Sequence, residues 1–461
     1  MPDSDAAPEL RPERLHDPSP ARPLTPPDLM PSLADIAASI QGYDPNLLPV
    51  AQAQDFIARL VPRVQAVESL ALRSALGRVL ARNAVSPIAV PAHDNSAMDG
   101  YALRSAELLA GVDTLIGVAG TAFAGGPFSG EVLAGQGVRI MTGAVMPAGL
   151  DTVVPQEFTR NEPDGRIRIP AGTVRAGDNR RLAGEDLALG EPALNAGRIL
   201  TPADLGLLAS LGQAEVAVFR RLRVAFFSTG DELRSIGEPL DAGCVYDSNR
   251  YTIWGMLTRL GVEVIDLGVV RDEPAALAQA FTQAAACSDA VITSGGVSVG
   301  EADHTKRIMA ELGEVLFWKI AMRPGRPMAI GRIGAGTGAG PGSQPAMLFG
   351  LPGNPVAVMV TFYAFVRQAL LAMSGATPQP LPLLRAVSEA ALRKKPGRTE
   401  YQRGIVSLGA DGRQTVRITG AQGSGILRSM SEANGMVVLH HGQGDVAAGE
   451  LVDVIPFDGL I

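Results

Sequence analysis

The sequence predicts a multidomain α/β protein: a parallel-sheet α/β domain plus an inserted β domain, a helical scaffold segment and an all-β C-terminal domain. Three observations predict it. Between residues 222 and 373 short apolar runs alternate with helix-length segments, the repetition that builds parallel sheets with helices on both faces. Residues 91–182, and the stretch after Pro378, Pro380 and Pro382, carry short alternating runs between Gly-rich and Pro-rich turns, which suits β domains. The chain has 461 residues, and at roughly 150 residues per domain that is room for about three cores.

Taken in chain order, residues 2–31 hold nine of the 34 prolines with mixed charges and no apolar core of a signal peptide, which predicts a disordered Pro-rich leader over 1–44. The spacing of Val50, Phe56, Ile57, Leu60 and Val61, and then of Leu70, Leu72, Leu76, Val79 and Leu80, suits short amphipathic helices. A second helical piece over 202–211 packs back on them, so the scaffold is 45–90 with 183–217 and the β segment 91–182 is an insertion. Within that insertion Val138-Arg139-Ile140 and Arg166-Ile167-Arg168-Ile169 alternate as half-buried strands do. In the α/β domain, 218–375, strands are predicted at 222–228, 262–270, 290–294 and 315–320. Helices are predicted at 249–260 behind an Asp247-Ser248 cap, at 274–286 and at 303–312. Residues 376–461 form the C-terminal β domain.

With 40 Lys and Arg against 47 Asp and Glu the net charge is −7, so no global positive field gathers nucleic acid, and an anion must meet a local basic pocket. Cys244 and Cys287 are the only cysteines, and the five histidines show no CxxC or HExxH spacing, which excludes a structural zinc site and leaves a reducing cytoplasm as the default compartment. No uninterrupted run of about 18 apolar residues occurs, and the uncharged stretch 333–366 is broken by Gly and Pro, so no membrane span is expected.

Four segments carry candidate chemistry. Ser294-Gly295-Gly296-Val297-Ser298-Val299-Gly300 follows a buried strand and precedes a helix, so backbone amides uncovered by side chains offer a phosphate site; a plain βα turn using Gly for positive φ is the alternative. Asp231, Glu232, Asp272, Glu301 and Asp303 fall at successive strand ends, an oxygen-rich set that suits Mg²⁺ beside phosphate, although each acid alone also suits a helix cap. Lys319, Arg323 and Arg326 lie within eight residues around a Pro-Gly-Arg-Pro turn and form either an oxyanion clamp or a solvated charged turn. Asp94-Asn95-Ser96-Ala97-Met98-Asp99-Gly100-Tyr101 is a polar turn too dense in small and acidic groups to be core.

Together with Met141-Thr142-Gly143-Ala144, Gly184-Glu185-Asp186, Tyr246-Asp247-Ser248-Asn249 and Gly350-Leu351-Pro352-Gly353-Asn354-Pro355, these segments occur in the order seen in the molybdopterin molybdenumtransferase family, which the chain resembles from about residue 45 onward. That resemblance implies an elongated homodimer of four-domain subunits that inserts molybdate into adenylated molybdopterin with Mg²⁺-dependent release of AMP, the active site lying between one subunit's α/β domain and the other's inserted domain. By motif it implies that Asp231, Glu232, Asp272 and Asp303 surround the metal and nucleotide phosphates, that Lys319 and Arg323 face the oxyanions, and that Asp99 and Asp186 complete the catalytic set. It assigns substrate contacts to Thr142, Arg181, Thr229, Ser294, Gly295, Gly296, Ser298, Arg326, Pro352, Pro355 and Ser424. Arg323 and Arg326 stand where the family often carries Lys, which exchanges a point donor for a planar fork.

Two rivals share features of this pattern. A molybdopterin adenylyltransferase has the α/β domain but needs neither β domain, and a non-catalytic scaffold of the same fold would have no use for the acidic set. Partners implied by the resemblance are the adenylyltransferase and molybdoenzyme apoproteins or their chaperones.

Overall fold

A computed structural model describes residues 31–297, 303–334 and 344–457, with the Asp303 side chain left out. The first helix, α1 (Leu33–Ser39), is set by a capping box: the Asp35 N–H donates to Ser32 Oγ at 3.1 Å and the Ser32 N–H donates back to the Asp35 carboxylate at 3.2 Å. Composition predicts a leader as far as residue 44, and the structure corrects this. Leu33, Ile36 and Ile40 recur at helical spacing and are buried in the main core, a short amphipathic pattern hidden by the prolines before it. Arg332 fastens the segment by donating to the Pro31 and Leu60 carbonyls, both at 3.1 Å. Residues 1–30, the remainder of that leader, lie outside the described residues.

Helix α2 (Val50–Leu60) forms as the periodicity predicts, yet it packs on the α/β core, where Phe56 meets Trp318 edge-on at 5.1 Å. The second apolar run does not form a helix. Val67–Ala71 is a strand paired antiparallel with Glu215–Phe219, followed by a 3-10 turn at Leu72–Ser74; pairing with a strand about 150 residues away outweighs local spacing. Helix α3 (Pro202–Ser210), capped by Thr201 with Asp204, closes this small core with Leu80, Leu208, Val216 and Val218. Between the halves stands a six-stranded sheet built around Gly100–Leu103, Gln136–Ile140 and Thr114–Ala122.

The α/β sheet comprises β1 (Arg223–Thr229), β2 (Glu263–Val270), β3 (Ala290–Ser294), β4 (Gly313–Lys319), β6 (Pro327–Ile333) and β7 (Ala346–Leu351), with β5 (Met322–Arg323) leaving it toward the next domain. Strand order is β2-β1-β3-β7-β6-β4. The first four strands run parallel, but β6 is antiparallel to both β4 and β7, so the all-parallel expectation is corrected to a mixed sheet. The short connection from Lys319 to Pro327 cannot carry a parallel crossover and closes as a hairpin instead. One face packs on α4 (Ser248–Arg259) and α7 (Pro355–Met373), the other on α5 (Pro274–Cys287) and α6 (Asp303–Leu312). Helix α7 is long and apolar enough to cross a bilayer by length and composition, against the sequence expectation, but 72% of its apolar window is buried inside the protein.

The C-terminal strands β8 (Leu384–Ser388), β9 (Thr399–Leu408), β10 (Gln414–Ile418), β11 (Gly435–Leu439) and β12 (Leu451–Pro456) run in the order β9-β10-β8-β12-β11, and β11 pairs back with β9 to close a barrel. Strand β5 adds to it beside β9, and α8 (Leu427–Glu432) follows a loop that faces the α/β domain.

Candidate active site

The order β2-β1-β3 reverses direction between β1 and β3, which in open α/β sheets is where a ligand crevice opens outside the carboxyl ends of the strands. A cleft of about 210 Å³ opens there, lined among others by Thr229 and Glu232 after β1, Asp272 after β2, Ser294, Gly295 and Gly296 after β3, and His304 and Thr305 from α6. The two glycines are required by geometry. Gly295 has φ +99° and an added Cβ would stand 2.4 Å from the Thr229 carbonyl oxygen; Gly296 has φ +69° and its Cβ would meet Thr305 at 2.7 Å. The bare loop leaves space for a ligand against backbone.

The acidic set is only partly assembled. Thr229 Oγ1 donates to Asp272 Oδ1, and the Asp272 N–H donates to Asp231 Oδ1 at 3.3 Å, so Asp231 braces the loop after β2 and does not line the cleft. Glu232 and Asp272 do line it. No group of three or more His, Cys, Asp or Glu side chains able to hold a metal occurs among the described residues, where Glu232 and Asp272 are the two of the expected acids that line the cleft. A pair fits Mg²⁺, which takes one or two carboxylates and completes its shell with water and phosphate oxygens. The Ser298 and Asp303 side chains lie outside the described residues.

A second cavity of about 370 Å³ shares the Gly353 wall and is lined by Arg323, Pro352, Asn354, Gln422, Gly423 and Ser424, with no carboxylate. Its floor depends on Arg403, a fully buried guanidinium in β9. Arg403 donates to the Gly423 carbonyl and Ser429 Oγ, both at 2.9 Å, and at longer range to the Gln422 and Ala421 carbonyls. Burial first, and then the like charge of Arg323, hold its pKa below the ordinary guanidinium value. Lys319 and Arg326 line neither cavity: the Lys319 backbone pairs with Pro45 and Leu48, and Arg326 is exposed at the hairpin tip. Pro355 opens α7 at its first position.

Asp99 and Thr142 meet within the inserted domain, where the Thr142 N–H and Oγ1 both donate to Asp99 Oδ1 at 2.7 Å and hold that carboxyl below its usual range. Arg181 pairs by backbone with Asn95 nearby, and Asp186 is exposed beside Val90. None of these four lines either cavity of the same chain. The structure adds His304, Thr305 and Arg403 to the residues that the motifs point to, and it places Asn249, the last residue of the Tyr-Asp-Ser-Asn segment, in the cleft. Arg403 stands in a strand of mixed polarity, so no local pattern singles it out. A larger groove of about 890 Å³ lies between α2, α7 and the barrel; its lining is mainly apolar and includes none of the expected site residues.

The chain matches three families: the MoeA N-terminal region (domain I and II) over residues 48–212, the "Probable molybdopterin binding domain" over 225–372, and the MoeA C-terminal region (domain IV) over 385–457. It is 41% identical over 416 residues to the molybdopterin molybdenumtransferase of Haemophilus influenzae, covering 90% of this chain and 100% of that one. The molybdopterin molybdenumtransferase of a Nostoc species is 36% identical, with 95% and 96% covered. A molybdopterin biosynthesis moeA protein of Pyrococcus horikoshii OT3 superposes with a TM-score of 0.74 at 27% identity, over 89% of this chain and 99% of that one. The fold and the cleft at its switch point thus define an enzyme of molybdenum cofactor biosynthesis. The chain belongs to the molybdopterin molybdenumtransferase family.

Proposed function

We propose that the protein inserts molybdate into adenylated molybdopterin with Mg²⁺-dependent release of AMP. The observation that carries this reading is the pairing of two cavities across Gly353, one with a Gly-Gly loop and two carboxylates, the other with Arg323 and no acid. A pyrophosphate-linked nucleotide and a dianionic oxyanion repel each other, so bringing them together needs separate, oppositely equipped pockets. The Gly296 backbone N–H donates to a phosphate oxygen and the Ser294 hydroxyl adds a donor at the same edge, while the Gly295 N–H and the Thr229 hydroxyl hold the loop in place by donating to the Leu351 carbonyl and to Asp272. Glu232 and Asp272 would hold the divalent ion, which supplies neutralisation of charge on the phosphate oxygens. Arg323 holds the oxyanion by charge-assisted hydrogen bonds, and Gln422–Ser424 close the far wall. Positioning is the main contribution of the protein, since no nucleophile and base pair is needed where the pterin sulfurs bind molybdenum.

A homodimer with shared sites is part of this reading. The Thr142 N–H and hydroxyl are both spent on Asp99 Oδ1 and fix that exposed carboxylate, which serves neither cavity of its own chain and so supports a role over the sheet of a second copy. The adenylyltransferase that supplies the substrate and the apoproteins that receive the product are its natural encounter partners. The test is AMP release from adenylated molybdopterin as molybdate is titrated with and without Mg²⁺. Release that requires both is expected; release indifferent to molybdate would refute the assignment.

A further inference from the structure

Asn249, the second residue of α4, is buried to 8% exposure and lines the cleft, yet nothing above uses it. Its Nδ2 donates to two groups at once: Ser294 Oγ at 2.8 Å, at the exit of β3, and the Gly353 carbonyl at 2.6 Å, in the loop before α7. The carbonyl can only accept, so the amide orientation is fixed by chemistry. Its Oδ1 is enclosed and has no partner. The helix end that presents it is itself pinned, because the Arg250 N–H donates to the Asp247 side chain at 3.0 Å.

Gly353 belongs to both cavities. On its far side the Val356 N–H donates to the Ser424 carbonyl at 3.0 Å, so the same loop is continuous with the wall of the oxyanion cavity. On its near side the Gly295 N–H donates to the Leu351 carbonyl at 3.1 Å. Asn249 is therefore the side chain that joins the phosphate loop to the partition between the cavities. A shift of either loop to fit its ligand must be transmitted through that amide, because a bridge to two loops cannot follow one without moving on the other.

We infer that Asn249 is a positioning residue that couples occupancy of the two cavities, so that an oxyanion in one alters nucleotide affinity in the other. This rests on the proposed nucleotide and oxyanion assignments, and the test separates the two. AMP binding to the full-length protein is measured by calorimetry with and without saturating molybdate, in the wild type and in Asn249→Ala and Asn249→Asp. Linkage between sites typically spans about 5- to 150-fold, and the wild type is expected to show at least about fivefold, in either direction. In both variants the ratio should collapse to within about twofold of one while AMP alone still binds, measured at a temperature well below each variant's own melting point. Asn249→Asp is the sharper of the two, since it keeps the shape and sets an acceptor against the Gly353 carbonyl. A purely structural role would lower the melting temperature and leave the ratio intact, which overturns the inference, as does a wild-type ratio of one. Failure of the wild type to bind AMP at all would overturn the nucleotide assignment instead.

Discussion

Arg403 offers the most demanding check on how the proposed oxyanion cavity beside Arg323 is built, through the substitution Arg403→Met. The guanidinium is fully buried and its partners are carbonyls and a hydroxyl, so its charge is offset only by dipoles. Two of those hydrogen bonds are short, at 2.9 Å, and a bond from a charged donor contributes about 1.5 to 3 kcal/mol, giving about 3 to 6 kcal/mol gross. Methionine restores most of the volume and removes a desolvated charge, and such replacements return about 1 to 4 kcal/mol. The difference leaves a loss of about 2 kcal/mol in the stability of the barrel. The effect on ligand should be larger than the effect on fold, because two of the released residues, Gln422 and Gly423, line the same cavity as Arg323. Removing a second cation from the neighbourhood of the cavity adds to it, so a tenfold or greater loss of molybdate affinity is expected, equal to about 1.4 kcal/mol or more. Urea unfolding gives the first quantity and a molybdate titration by calorimetry the second. Barrel destabilisation with a molybdate midpoint moved less than about twofold would show that Arg403 does not set the wall.

Other outcomes follow from the same geometry. Gly295→Ala forces a Cβ to within 2.4 Å of the Thr229 carbonyl oxygen at a positive φ that costs about 1 to 2 kcal/mol, so AMP affinity by calorimetry should fall at least about tenfold with the far-ultraviolet dichroism unchanged. Asp94 is held below the usual carboxylate range by the Ala183 N–H first and Arg180 second, so its stabilisation is complete above the unfolded-state value and is lost as pH falls through the lower folded one. Asp94→Asn should therefore lower the thermal midpoint at pH 7, and the gap to wild type should narrow below about pH 3.9. Mixing Asp99→Ala chains with Asp272→Ala chains should restore about one intact site per mixed dimer, read as recovered AMP release; no recovery in verified mixed dimers would count against shared sites.

The strands and helices of the α/β domain were legible because β1 and β3 are buried along nearly their whole length and read as unbroken apolar runs, while Asp247 and Pro274 mark helix starts directly. The scaffold was not. Leu70, Leu72, Leu76, Val79 and Leu80 carry a helical spacing, but Leu70, Leu72 and Leu80 pack with residues from 194–218, Val79 packs on Phe219, Leu76 is exposed, and no local pattern announces partners so far away. The loop after β3 was legible from its paired glycines, since a Cβ has no room there. Asn249 and Arg403 were harder to see because each acts by joining segments distant in sequence, and a single amide or guanidinium has no spacing to betray it.

Strand β5 lies between two units and belongs to the chain of one while extending the sheet of the other, with Met322 opposite Thr399 and Arg323 opposite Glu400. Its mechanical consequence concerns rotation. A barrel attached only by the segment after α7 could swing on it, but the β5 ladder and the Val356 to Ser424 hydrogen bond fasten the barrel at two further points, beside the cavity that Arg323 and Ser424 line. These added attachments oppose rotation about the single connecting segment, so the width of that cavity is set when the protein folds and not by closing of one domain upon the other.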